Sequence, residues 1–158
     1  MNRRRLLRIP PTEIGHAPRR GLIRVVGKVA EGSYRTPITG TPCAAFVTKL
    51  YEYGSGPSLL LTVASPGPLM VDDDTGRAEI AAGIRDYELT GTVFRGHFDD
   101  ARTAIETLLT AHGISVRNST GSVRGISFVE HVLFAGDEIT AVGYARRVVA
   151  RRARHGLS

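Results

Sequence analysis

Short apolar runs separated by glycine, proline and aspartate dominate the chain, and they predict strands more often than helices. Leu22-Ile23-Arg24-Val25-Val26-Gly27-Lys28-Val29 is β-branched and predicts a first strand, broken or bulged at Gly27. Gly32 to Cys43 holds Pro37, Gly40 and Pro42, which is too many breakers for a helix or a central strand, so it reads as an ordered loop. From Ala44 to Tyr53, Phe46, Thr48, Leu50 and Glu52 alternate with Ala45, Val47, Lys49 and Tyr51, the signature of a second strand. Gly54-Ser55-Gly56-Pro57 turns the chain into a third strand, Ser58 to Ala64. Leu69-Met70-Val71 and Arg77-Ala78-Glu79-Ile80 flank Asp72-Asp73-Asp74-Thr75-Gly76, a hairpin with acidic turn-formers at its tip. Tyr87 to Phe94 predicts a further strand.

One helix stands out, from about Asp100 to His112. Ala101, Ala104, Ile105, Leu108 and Leu109 form a single apolar stripe that must pack on a sheet. Asp99 is placed to cap its start, and Gly113 supplies a left-handed stop. Asn118 to Gly125 is polar and reads as a mobile loop. Ile126 to Phe134 and Glu138 to Ala145 read as a final strand pair joined at Ala135-Gly136-Asp137. The expected fold is mainly β (α+β): a small OB-like barrel of about seven strands with the amphipathic helix packed outside.

Charge divides the chain into three. The 158 residues carry a net charge of +6, and of the 21 basic residues only Lys28 and Lys49 are lysines. Residues 1–20 hold Arg3, Arg4, Arg5, Arg8, Arg19 and Arg20 against Glu13 alone, a basic N-terminal arm. Residues 146–158 hold Arg146, Arg147, Arg151, Arg152 and Arg154 with no acid, a basic C-terminal tail. The intervening 21–145 is therefore mildly acidic. A nucleic-acid-binding barrel carries its positive charge on its own face, whereas basic arms suit an anionic surface met from outside. The single cysteine, Cys43, excludes an intramolecular disulfide, no run approaches roughly 18 apolar residues, and the Arg-rich start has no signal-peptide core. A soluble or peripheral cytoplasmic protein is expected.

Several segments match one family in order. Gly27-Lys28-Val29, Thr36-Pro37-Ile38-Thr39-Gly40-Thr41-Pro42-Cys43, Asp73-Asp74-Thr75-Gly76-Arg77-Ala78 and Glu130-His131-Val132-Leu133-Phe134-Ala135-Gly136-Asp137-Glu138 together resemble a GIDE-type domain, over about Pro11 to Arg146. That domain occurs in mitochondrial and plastid RING-type ubiquitin ligases and in bacterial proteins. The resemblance implies a membrane-adjacent interaction domain and supplies no catalytic residue. The Arg151-Arg152-Ala153-Arg154 end has no Cys/His framework, so ligase activity is not implied.

Candidate chemistry is sparse. Cys43 has no histidine near it in sequence to serve as base, and reads as a small buried apolar residue rather than a nucleophile. Asp72, Asp73 and Asp74 lack the alternating spacing of a calcium loop and read as a solvated turn. His16, His97, His112, His131 and His155 show no metal spacing. Gly21 to Lys28 fails the phosphate-loop spacing. Glu130, in a strand, calls for a partner such as Arg24 or Arg124. Tyr51 and Tyr53 share a face with Lys49, the best case for base stacking. The expectation is thus a non-catalytic module with no cofactor or metal. Its contact loop is Thr36, Pro37, Ile38, Thr39, Gly40, Pro42 and Cys43, and it binds a protein partner at or near an anionic membrane through its Arg tails. The alternative is an OB-like single-stranded nucleic-acid binder.

Overall fold

A computed structural model describes residues 3–6, 8–81 and 91–147. The period-two runs become ten strands: β1 Arg20–Val29, β2 Tyr34–Arg35, β3 Pro42–Cys43, β4 Ala45–Tyr53, β5 Pro57–Ala64, β6 Leu69–Asp73, β7 Gly76–Ile80, β8 Thr92–His97, β9 Ile126–Leu133 and β10 Glu138–Arg146. Among the described residues, helix is confined to a four-residue turn, α1 Arg3–Leu6, the main helix α2 Arg102–Ala111 and two short 3-10 turns. The chain is mainly β. Its strands form two four-stranded antiparallel sheets, ordered β10-β1-β6-β7 and β5-β4-β9-β8, plus the small ribbon β2-β3. The expected strand at Tyr87 begins outside the described residues, and what is described of it is β8.

Three expectations need correction. The last two strands do not pair with each other: β9 lies between β4 and β8, while β10 pairs with β1 along its length. The turn between them hands the chain to the other sheet. Gly136 N–H donates to the Val29 carbonyl at 2.8 Å and Val29 N–H donates to the Asp137 carbonyl at 2.9 Å. At Gly27 there is no bulge, since Val26, Gly27 and Lys28 stay in step with Thr140, Ile139 and Glu138. The glycine is there for proximity: a Cβ on it would lie 2.6 Å from the Asp72 carbonyl oxygen. Asp99 does not cap α2. Phe98–Asp100 forms a 3-10 turn in which Asp100 accepts from the His97 N–H at 2.7 Å, and Asp99 instead pairs with Arg102 at 3.0 Å.

The two larger of three apolar clusters among the described residues organise the interior. Val29, Leu69 and Val71 of one sheet meet Ala45 and Leu133 of the other, so the sheets join at one end. The rest of the second sheet buries its inward side, with Leu50, Ile126 and Phe128, beneath Ile105, Leu108 and Leu109 of α2. The helix stripe packs as its periodicity requires. The polar segment 118–125 is tied internally, because the Asn118 carboxamide oxygen accepts from the Thr120 and Ser122 N–H groups, each at 3.0 Å.

The start of the chain is also attached. Thr12 N–H donates to the Arg24 carbonyl at 2.7 Å. Residues 14 and 15 are then held by the β6–β7 turn. Asp73 accepts from the Ile14 N–H at 2.8 Å, and the Thr75 hydroxyl accepts from the Gly15 N–H at 2.8 Å. That acidic turn is therefore a latch more than a solvated tip. Asp72 pairs with Arg77 at 2.6 Å. The amides of Ile14, Thr75 and Gly76 and the Thr75 hydroxyl hold the Asp73 carboxyl down to about 2.

Candidate functional site: a turn held on a buried carboxylate

Glu130 is fully buried, at 0% exposure, in the middle of β9. Register puts it directly opposite Thr48 on β4 and Phe94 on β8, on the inward side of the sheet. A carboxylate there is costly without partners. The expected arginine partners are engaged elsewhere: Arg124 pairs with Glu52 at 2.5 Å, and Arg24 donates to the Ile9 carbonyl. The partners come instead from the segment 36–41 and from β4. Oε1 accepts from the Ile38 N–H at 2.7 Å and from the Thr48 hydroxyl at 3.2 Å. Oε2 accepts from the Thr39 hydroxyl at 2.7 Å and from the Thr39 N–H at 3.2 Å.

Those bonds clamp a tight turn across the ribbon β2-β3. Tyr34 and Arg35 pair with Cys43 and Pro42. Thr36 N–H donates to the Thr41 carbonyl at 3.0 Å, and Gly40 N–H donates back to the Thr36 carbonyl at 3.1 Å. Gly40 has φ +67°, a left-handed conformation that costs a side-chain-bearing residue and is free to glycine. The hydroxyls of Thr36 and Thr41 meet that of Thr39 at 2.8 and 2.7 Å, and Thr39 in turn donates to Glu130. Ile38 drives the tip inward, packing in the cluster under α2. Thr39, Gly40 and Pro42 are left exposed.

Cys43 closes the turn from below. It is 6% exposed and packs with Phe46 and Val132, near the edge-on pair of Tyr34 and Phe46 rings. Burial, and then the charge of Glu130, push its thiol above the ordinary value. A nucleophilic cysteine needs the reverse.

The balance of energies says what this arrangement does. Each hydrogen bond to a charged group contributes roughly 1.5–3 kcal/mol, against a desolvation cost of several kcal/mol for the carboxylate. The net for stability is modest, while the shape of residues 36–41 is fixed at both backbone and side-chain level.

The outward side of the same sheet carries a second constellation. Rows across the strands read Thr62, Lys49, Val129, Arg95 and then Leu59, Tyr51, Ser127, His97, with His131 beside them opposite Val47 and Val93. Lys49 and Arg95 form no ion pair among the described residues. Burial, then Lys49 and Arg95, lower the His131 pKa, so the imidazole sits in a positive field. Tyr53, 54% exposed, borders an open cleft of about 440 Å³ that Phe98, Arg102 and Val123 also line.

Sequence reasoning singled out the segment 36–43 and Glu130 but did not join them, and it missed Thr48, Arg95 and the place of His131. The parity of β4 and β9 held a signal. Thr48 interrupts Phe46 and Leu50, and Glu130 interrupts Phe128 and Val132, so on each strand a polar residue stands between two buried apolar ones. Of the basic residues expected to act as tails, Arg4 and Arg5 are exposed in α1, which Arg3 opens, while Arg151, Arg152 and Arg154 lie outside the described residues. Comparison of the chain with protein-family models, curated proteins and solved structures finds no match.

Proposed function

We propose that the chain is a non-catalytic interaction module that binds a protein partner through the turn at residues 36–43, at or near a membrane surface. The observation that supports it most is the complete use of a buried carboxylate, Glu130, to fix a surface turn. A pre-shaped loop on a rigid sheet loses little entropy on binding. Its exposed Thr39, Gly40 and Pro42 present uncharged surface to a partner, flanked by Arg35, whose guanidinium donates to the Gly40 carbonyl at 3.1 Å. Cys43, buried and held as the thiol, is a packing residue in this reading. The GIDE-type resemblance of residues 11–146 agrees with such a role. The two sheets, joined at one end, are read as an OB-like barrel left partly open. Among the described residues no helix is long and apolar enough to cross a membrane, and the reading is of a domain that meets the bilayer from its surface.

Site-specific photo-crosslinking in the native cell tests it. A photoreactive residue at Pro42 is expected to give discrete protein adducts that are missing when it stands at exposed Thr103 on α2. The same pattern from both positions would sink the proposal.

One observation favours a second reading, a single-stranded nucleic-acid face. Lys49, Tyr51, Arg95 and His97 share the outward side of the β5-β4-β9-β8 sheet, which combines cations with an aromatic in the manner of a stacking platform. Oligonucleotide affinity that falls steeply with salt, and is lost in Lys49→Gln with Arg95→Gln, would establish it over the first.

A further inference from the structure

The two basic stretches of the sequence meet in space. In the β1–β10 ribbon Arg20 stands directly opposite Arg146. Arg147 N–H donates to the Arg19 carbonyl at 3.2 Å, which brings a second arginine pair to the same end. Like charges facing each other across an antiparallel pair are destabilising. Among the described residues none of these four arginines forms an ion pair with a carboxylate. Arg147 makes one side-chain bond, to the Gly15 carbonyl at 3.3 Å. Fold stability therefore does not account for the cluster.

The next row of the same ribbon face is apolar, and the one after it pairs an arginine with a valine. Leu22 lies opposite Tyr144, and Arg24 opposite Val142. Tyr144 is 85% exposed, far more than any other large hydrophobic residue described. This end of β1 has β10 on one side and only the bridge from Pro11 to Arg24 on the other, since pairing with β6 is confined to Lys28 and Val29. The ribbon end thus presents arginines beside an exposed tyrosine and half-buried aliphatic side chains.

We infer that the ribbon end docks on the surface of an anionic phospholipid bilayer. Arg20 and Arg146 face the headgroup phosphates with Arg19 and Arg147 next to them at the ribbon end, and Tyr144 and Leu22 enter the interfacial layer, where an aromatic ring with a polar tip is at home. A nucleic-acid strand would satisfy the arginines but leaves Leu22 and Val142 without a partner, so the bilayer is the better match. The inference deepens the membrane half of the proposed function and is independent of the turn at 36–43.

Co-sedimentation of the full chain with phosphatidylcholine vesicles, with and without phosphatidylserine, is the test. Wild type should bind the anionic vesicles and not the neutral ones, and binding should fall as salt is raised. Arg20→Gln with Arg146→Gln should weaken it about thirtyfold, from the loss of two surface charges, and Tyr144→Ser should weaken it several-fold. Unchanged circular dichroism and melting temperature show that these exposed changes leave the fold intact. If wild type binds anionic vesicles and both variants bind equally well, this docking site is wrong while membrane association stands. If a single-stranded oligonucleotide displaces it from vesicles while Tyr144→Ser has no effect, the docking site falls, and if wild type binds neither vesicle, both the docking site and the membrane half of the proposed function fall.

Discussion

Replacing Glu130 by Gln changes one atom in the interior and asks what the carboxylate contributes. The side chain keeps its volume, but one of its two acceptors becomes an NH₂ donor. Placing that donor at Oε1 would set it against the Ile38 N–H at 2.7 Å and the Thr48 hydroxyl at 3.2 Å. Placing it at Oε2 sets it against the Thr39 N–H, at the longer 3.2 Å, and the Thr39 hydroxyl, which is able to accept. The second orientation is cheaper and leaves one backbone N–H without a partner. An unsatisfied buried donor costs about 1–3 kcal/mol, partly offset because the neutral amide is easier to bury than the carboxylate. A net loss of about 2 kcal/mol is expected, well inside the total stability of an ordinary domain. For a domain of this size that lowers the melting temperature by about 4–8 °C. Glu130→Ala leaves both turn amides unpaired and opens a cavity, and should cost roughly twice as much. Thermal unfolding measures the loss of stability. Hydrogen exchange measures the hold on the turn: the Ile38 and Thr39 amides should exchange much faster in Glu130→Gln while the Leu50 and Val132 amides do not. If the two turn amides exchange as in wild type, Glu130 does not hold the turn.

Three further predictions rest on single contacts. Asp73 has its carboxyl depressed to about 2 against an ordinary value of 3.8, so its hold on the Ile14 amide is complete above about pH 4 and is lost as pH falls toward 2. The Ile14 amide resonance should follow that titration, and Asp73→Asn should abolish the dependence. Gly27→Ala puts a Cβ 2.6 Å from the Asp72 carbonyl and 2.8 Å from a Val71 methyl. It should cost about 1–3 kcal/mol in urea unfolding, and a neutral result would refute the close-approach argument. Cys43, with its thiol pKa raised by burial and by Glu130, should resist a thiol reagent at mildly alkaline pH until the chain unfolds, and Cys43→Ala should lower stability by no more than about 1 kcal/mol.

What was legible in the sequence was what local pattern determines. The alternation in β4, the acidic hairpin at 69–80 and the stripe of α2 each arise from short-range periodicity, and each appears within a few residues of its expected place. The breakers in 32–43 marked an ordered segment for the same reason. What was not legible depends on contacts between distant residues. The Glu130 bond to Ile38 spans 92 positions, and nothing local distinguishes a carboxylate that meets two backbone amides from one that meets an arginine. The exchange of β10 into the sheet of β1 is set by the shared apolar end, with Val29, Leu133 and Ile139 in one cluster. Asp99 misled because a 3-10 turn placed Asp100, not Asp99, against the preceding amide.

The central claim is that Glu130 fixes the turn at 36–43 so that it meets a protein partner ready-shaped. The most direct test compares photo-crosslinking yield from position 42 in wild type and in Glu130→Gln, at a temperature where both are folded by circular dichroism. The account predicts discrete adducts in wild type that weaken several-fold in the variant. Adducts of equal yield in both, or none in wild type, would contradict it.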